Sequence, residues 1–176
     1  MNVLWGLPFA AGAVDYIYAS HFFEHINYKS GALDLVRDFH RAMAEGGRLR
    51  LAAPNIGGMI SAYSSGKKTF FEEREKVFQE TKLLCKTPLE HILEYAGTGI
   101  RSRPGRFFDH KFGYDYETLG SLLRDVGFAE IRQCAYMQSP DPVLRIDNAG
   151  VVTESVLDGI PNTLFVECVK LSAGGK

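Results

Sequence analysis

Long apolar runs are missing from this sequence, and so is any excess of charge of one sign. No stretch reaches the roughly 20 consecutive apolar residues that a membrane helix needs, and the opening residues lack the basic, then apolar, then small pattern of a secretory leader. With 20 Lys and Arg against 21 Asp and Glu, the net charge of -1 creates no field that would gather a polyanion. Neither nucleic acid nor a membrane surface is therefore an expected partner. Cysteine is scarce and odd in number. Cys85, Cys134 and Cys168 stand far apart, which excludes a disulfide framework and a paired-cysteine zinc knuckle and suits a reducing, cytoplasmic setting. The G-x-S-x-G turn of a nucleophilic serine is absent. No metal is expected either: His21 and His25 have the four-residue spacing of a zinc-binding helix, but the rest of that motif's glutamate-histidine geometry is lacking. The one basic cluster, Arg101 to Arg106 (RSRPGR), reads as a solvated loop, with a phosphate or acidic group as its alternative partner.

What is present has a regular order. The 176 residues, 45% hydrophobic and 23% charged, suffice for a single core, and one domain spanning 1–176 is expected. Val14 to Ser20 (VDYIYAS) is a β-branched and aromatic run that suits a buried strand. From Lys29 to Ala44, apolar Ala32, Leu35, Val36, Phe39 and Met43 recur at three- and four-residue spacing, which predicts an amphipathic helix ended by Gly46-Gly47. Arg48 to Ala53 (RLRLAA) is a second strand, stopped by Pro54-Asn55. Strand, helix and strand form a βαβ unit with parallel strands.

Residues 56–106 carry no strand pattern. Ser61 to Ser65 is small and polar, Glu72 to Leu84 and Pro88 to Tyr95 read as helices, and the whole is expected to be a helical insertion or lid. Asp115 caps a helix closed by Gly127, and strands follow over Phe128 to Tyr136 and Thr163 to Leu171.

The segment from Leu7 to Ile26 (LPFAAGAVDYIYASHFFEHI), the helix after it, GGRLRLAAPN, and later HKFGYDYETLGSLLRDVGFAEIRQC resemble the class I S-adenosylmethionine-dependent methyltransferases, especially the type 11 group. The resemblance implies an α/β, partial Rossmann-like fold retaining the strands equivalent to the fourth to seventh, with the last two forming an antiparallel edge. The match begins in mid-domain. The glycine-rich first βα turn and the acidic residue that holds the ribose of the cofactor are expected to be missing, through a late start codon or because another chain supplies them. Gly57-Gly58 and Gly97-x-Gly99 do not follow a first strand and are not expected to replace that turn. The implied cofactor is S-adenosylmethionine, held poorly by this chain alone, and the implied acceptor is a small molecule or saccharide.

The resemblance places Leu7, Pro8 and Phe9 beside the adenine and Ala19, Ser20 and His21 at the strand end facing the cofactor; the alternative for Phe9 is a core position. His25, with Glu24, is the candidate general base, the alternative being that Glu24 bonds backbone donors and His25 packs. Asn55, His110, Asp141 and Arg145 are candidate acceptor contacts, His110 being read beside Asp109 and the last two lying in the loop that also holds Asp147. A second reading is a non-catalytic protein that forms homo-oligomers through strand 14–20 as an open apolar edge.

Overall fold

A computed structural model describes residues 6–78, 85–97, 109–147 and 155–172. Among them, the main sheet has the order β1-β2-β6-β3. Strand β1 (Val14–Ser20) has the predicted bounds, and helix α1 (Leu33–Ala42) carries the chain across to β2 (Met43–Pro54), which runs parallel to β1. Asn27 starts this crossover: its side chain accepts from the amides of Lys29 and Ser30 and opens a π-helical turn over Tyr28–Ala32. Gly46-Gly47 does not end α1, which stops at Ala42. The glycines lie inside β2, where the pairing slips between Val14↔Met43 and Tyr16↔Arg48. Gly46 has φ +77, and a Cβ on Gly47 would stand 2.8 Å from the Ala44 carbonyl oxygen. Their requirement is a strand irregularity.

Helix α5 (Tyr116–Val126) leads into β3 (Phe128–Cys134), and β6 (Thr163–Lys170) closes the sheet. The Asp115 side chain accepts from the Thr118 amide at 2.8 Å, and Gly127, at φ +102, ends the helix. β6 is antiparallel to both β2 and β3, so only the last strand is reversed. The last two strands, β3 and β6, thus pair antiparallel at one edge of the sheet as expected, because α5 returns the chain to the starting end of the sheet before β3, whereas β6 begins at the end where β3 stopped. Leu49, Leu51, Leu164, Val166 and Cys168 meet Leu35, Val36 and Phe39 of α1 and Leu119, Leu122 and Leu123 of α5 in the main core.

Helices α2 (Ile56–Ser64), α3 (Lys68–Phe78) and α4 (Pro88–Tyr95) follow β2. Ser61 to Ser64 belong to α2, because Asn55 caps that helix on the Gly58 amide at 2.9 Å and Ile56, Met59 and Ala62 bury one side of it. α3 begins before Glu72, since Phe70 and Phe71 join the same small cluster with Tyr95 and Leu157. Thr87 and Glu90 form a reciprocal cap on α4. The cluster Arg101 to Arg106, Gly99 and the end of the expected helix at residues 79–84 lie outside the described residues. Val156–Leu157 (β4) and Ile160–Pro161 (β5) form a small separate hairpin. No helix among the described residues is long and apolar enough to cross a membrane.

The alternation R-L-R-L places Arg48 and Arg50 on the sheet face away from α1 and α5. Arg50 is fully buried there. Its Nε donates to Asp147 at 2.7 Å and its terminal nitrogens to Asp147, to Glu167 at 2.6 Å and to the carbonyls of Ala135 and Gln138 at 3.0 and 3.2 Å. Burial works against the guanidinium charge, but Asp147 and Glu167 outweigh it and hold the group above its ordinary pKa.

Two outcomes follow for stability. Arg50→Ala leaves the buried Asp147 carboxylate without a counter-charge and Glu167 with Arg132 alone, and is expected to cost about 3–5 kcal/mol in urea unfolding; Arg37→Ala, which breaks an exposed pair with Asp34 at 3.3 Å, is expected to cost less than about 1 kcal/mol. Equal losses would refute the distinction. Gly97, at φ +85, approaches residues 111 and 112 so closely that a Cβ would stand 2.5 Å from the Lys111 carbonyl carbon. Gly97→Ala should therefore lower the thermal midpoint well beyond Gly66→Ala, which has φ +66 but open space around its added methyl.

Candidate active site

β1 ends at Ser20, and the next residue departs from ordinary backbone geometry. His21 has φ +47, a left-handed conformation costly for a residue with a Cβ, and its backbone amide donates a hydrogen bond to the Ala52 carbonyl at 2.8 Å. A tight turn over Phe23–His25 follows. Phe23 anchors the turn by inserting edge-on between Phe39 and Tyr114, at centroid distances of 5.9 and 6.2 Å.

The anchored turn buries Glu24 to 1% exposure. Neither of its carboxylate oxygens accepts a hydrogen bond. The nearest cationic candidates are imidazoles: His21 Nδ1 at 3.3 Å and His25 Nε2 at 4.0 Å from Glu24 Oε1. The Glu24 main-chain carbonyl accepts from the amides of Lys111 at 2.6 Å and Phe112 at 3.2 Å. That pair of bonds brings His110 against His25, their rings edge-on with centroids 4.9 Å apart. His110 Nδ1 lies 3.3 Å from the Tyr95 carbonyl oxygen, and His21 Nε2 lies 3.3 Å from Thr163 Oγ1 at the start of β6. Burial lowers the His110 pKa from its ordinary value, and His25 adds to the effect while Glu24 opposes it. A carboxylate and imidazoles converging at a strand end can accept a proton, orient a hydroxyl or hold a cation.

His21, Glu24, His25 and His110 are thus brought together, with Ala19 and Ser20 directly before them. The carboxylate facing His110 is Glu24. Asn55 lies at the end of β2, where it caps α2 and donates to the Pro161 carbonyl at 2.8 Å. Leu7, Pro8 and Phe9 are not part of the group. The Leu7 amide donates to Asp38 and Arg41 donates to the carbonyls of Leu7 and Phe9, which fastens the segment to the last turns of α1, near the beginning of β1. Seven strand residues, about 23 Å at 3.3 Å each, separate that end from Ser20. Phe9 is 48% exposed and does not occupy the core.

Asp141 and Arg145 belong to the segment strapped over the Arg50 face. Asp141 accepts from Tyr16 at 3.1 Å and pairs with Arg48 at 3.3 Å, while Arg145 donates to the Ser139 carbonyl at 2.8 Å. Arg145 also lines an open hollow of about 570 Å³ with Arg132, Cys134 and Gln138. Asp147 serves Arg50. Sequence reasoning missed Thr163, Tyr95 and Arg50; only the last left a signal, since arginine alternating with leucine in a strand demands acidic partners on one face.

The cofactor that the resemblance implies is S-adenosylmethionine. Ala19, Ser20 and His21 form a strand end of the kind a cofactor lies against, but the connection from β1 to α1 buries Phe23, Glu24 and Ile26 where a bare glycine turn would admit the cofactor to the backbone. The described residues do not form that cradle.

No family model and no curated protein matches the sequence. Among solved structures, the chain is similar to a possible exported protein from Bordetella parapertussis, with a TM-score of 0.52 and 12% identity over 93% of this chain and 41% of that one. It is also similar to the S-adenosylmethionine-dependent methyltransferase SibL in its apo form, with a TM-score of 0.50 and 13% identity over 98% of this chain and 35% of that one. The chain spans less than half the length of either structure. What these likenesses establish is the architecture: the chain has a class I methyltransferase-like α/β fold.

Proposed function

We propose that this chain forms the acceptor-side wall of an S-adenosylmethionine-dependent methyltransferase acting on a hydroxyl-bearing small molecule or saccharide. The observation that carries the reading is the convergence of Glu24, His25 and His110 just past the end of β1, where open α/β sheets receive their ligands. His25 is the proton acceptor, and the Glu24 carboxylate stands 4.0 Å from its Nε2. His110 lines the acceptor side, and Ala19, Ser20 and His21 line the cofactor side. Transfer of a methyl group is a displacement governed by alignment, so a wall that fixes the acceptor and takes its proton is a sufficient contribution from these residues.

Titration of the protein with S-adenosylhomocysteine in a calorimeter tests the cofactor part. Weak heat that saturates only toward millimolar ligand, lost in His21→Ala and retained in His25→Asn, is the expected result. Absence of heat at millimolar ligand would overturn it.

One observation favours a second, interaction reading. Among the described residues β1 pairs only with β2, leaving its other edge open, and Tyr16 on that strand is 41% exposed. Pairing of this edge with a second copy predicts a concentration-dependent dimer in sedimentation velocity at tens of micromolar, on the order of concentrations at which exposed edges associate. A monomer throughout would dismiss it.

A further inference from the structure

Glu24, His25 and His110 each offer one ligand atom, and those atoms lie within 4.8 Å of one another. We propose that they form a binding site for a divalent transition-metal ion of the zinc or cobalt class, with His21 beside it.

Three features support the assignment. The Glu24 carboxylate is 1% exposed, and both its oxygens lack a hydrogen-bond donor, as does the buried His25 Nδ1. A buried anion left in that state costs several kcal/mol unless a cation meets it. Next, the His110 imidazole is oriented as a ligand, with burial lowering its pKa. The Tyr95 carbonyl oxygen facing His110 Nδ1 at 3.3 Å can only accept, so Nδ1 carries the proton and Nε2 keeps its lone pair. This backbone-anchored imidazole is the arrangement that orients metal-binding histidines, and Thr163 Oγ1 lies 3.3 Å from His21 Nε2. Finally, the donor set is mixed imidazole and carboxylate without thiolate, which suits zinc, cobalt, nickel or manganese. Around zinc, with bonds of about 2.1 Å, ligand atoms stand about 3.4 Å apart, so a contraction of up to about 1.4 Å by side-chain rotation closes the site.

The sequence argued against a metal because His21 and His25 alone lack a complete motif. The completing histidine arrives through the Glu24 carbonyl bonds to Lys111 and Phe112. Three protein ligands leave a position for water or for an oxygen of a bound substrate, and His21 and His25, at 28% and 27% side-chain exposure, lie on the accessible side.

The inference stands on side-chain geometry and not on the methyl-transfer reading. It is tested by titrating the chelator-treated full chain with Co²⁺ alone, followed by visible d–d absorption, and with Zn²⁺ alone by calorimetry. One ion per chain is expected, with affinity reduced at least about tenfold in Glu24→Gln and in His110→Asn and unchanged in His40→Asn, which lies outside the cluster. Zn²⁺ should also raise the thermal midpoint of the wild type and leave that of Glu24→Gln unmoved. The second readout separates lost ligation from lost folding, because Glu24→Gln removes a buried charge and keeps its shape. No binding, or equal binding by wild type, Glu24→Gln and His110→Asn, would overturn the site. Metal binding without a response to S-adenosylhomocysteine would overturn the cofactor reading and leave this one standing.

Discussion

The buried guanidinium of Arg50 is the constraint around which the sheet is organised. A charge at full burial is tolerable only when every donor is matched, and all five N–H groups of this side chain find carboxylate or carbonyl oxygen. Meeting that demand fixes three separate parts of the chain. β6 must present Glu167 opposite Arg50, the turn after β3 must present the carbonyls of Ala135 and Gln138, and the strap must bring Asp147 back over the sheet. The register that sets Arg50 against Glu167 also sets Pro54 against Thr163. Thr163 thereby reaches His21, so a network on the back face of the sheet determines one contact of the candidate site at its end.

A second set of close approaches completes the site from the other side. Residues 110 to 114 run between the turn after β1 and the helices that follow β2, bonded to Glu24 on one flank and bridged to Asn55 at Tyr114 on the other. The space is narrow. A Cβ on Gly113 would stand 2.6 Å from Ile56 Cγ1, and one on Gly97 would stand 2.7 Å from the Phe112 amide nitrogen. Helix α4 contributes through the Tyr95 carbonyl, and Arg74 of α3 lies over the Tyr95 ring at 4.1 Å. The helices after β2 therefore bear on the site through main-chain positioning of His110.

Elements with local signals were legible in the sequence. The β-branched run of β1 and the Asp115 and Gly127 pair around α5 gave their bounds to within a residue, because strand composition and helix caps act over short stretches of chain. Gly46-Gly47 misled, since a glycine pair serves a helix end and a strand irregularity equally well and only the pairing with β1 decides between them. The candidate site was half legible. His21, Glu24 and His25 are neighbours whose placement follows from the end of β1. His110 joins them through main-chain bonds made across a long separation in sequence, and no local period encodes such bonds. For the same reason Asp141 and Arg145 read as site residues from their loop, while Asp147's long-range bond to Arg50 ties that loop to the back of the sheet.

The two buried acidic centres of the molecule are treated in opposite ways, and the contrast bears on function. Asp147 and Glu167 are matched by a permanent cation, Arg50, with Arg132 adding a second contact to Glu167 at 3.0 Å. Nothing about that centre can change without unfolding, since a guanidinium does not release its proton near neutral pH. Glu24 is equally buried, yet among the described residues its side chain is given no arginine, lysine or backbone amide, only imidazoles at 3.3 and 4.0 Å. Imidazole supplies charge only by taking up a proton and otherwise offers a lone pair. The fold thus matches one pair of buried carboxylates with a permanent cation and leaves another facing groups of a kind that can exchange protons or bind cations. Stability alone gives no reason for that arrangement, because a buried carboxylate without fixed partners lowers it.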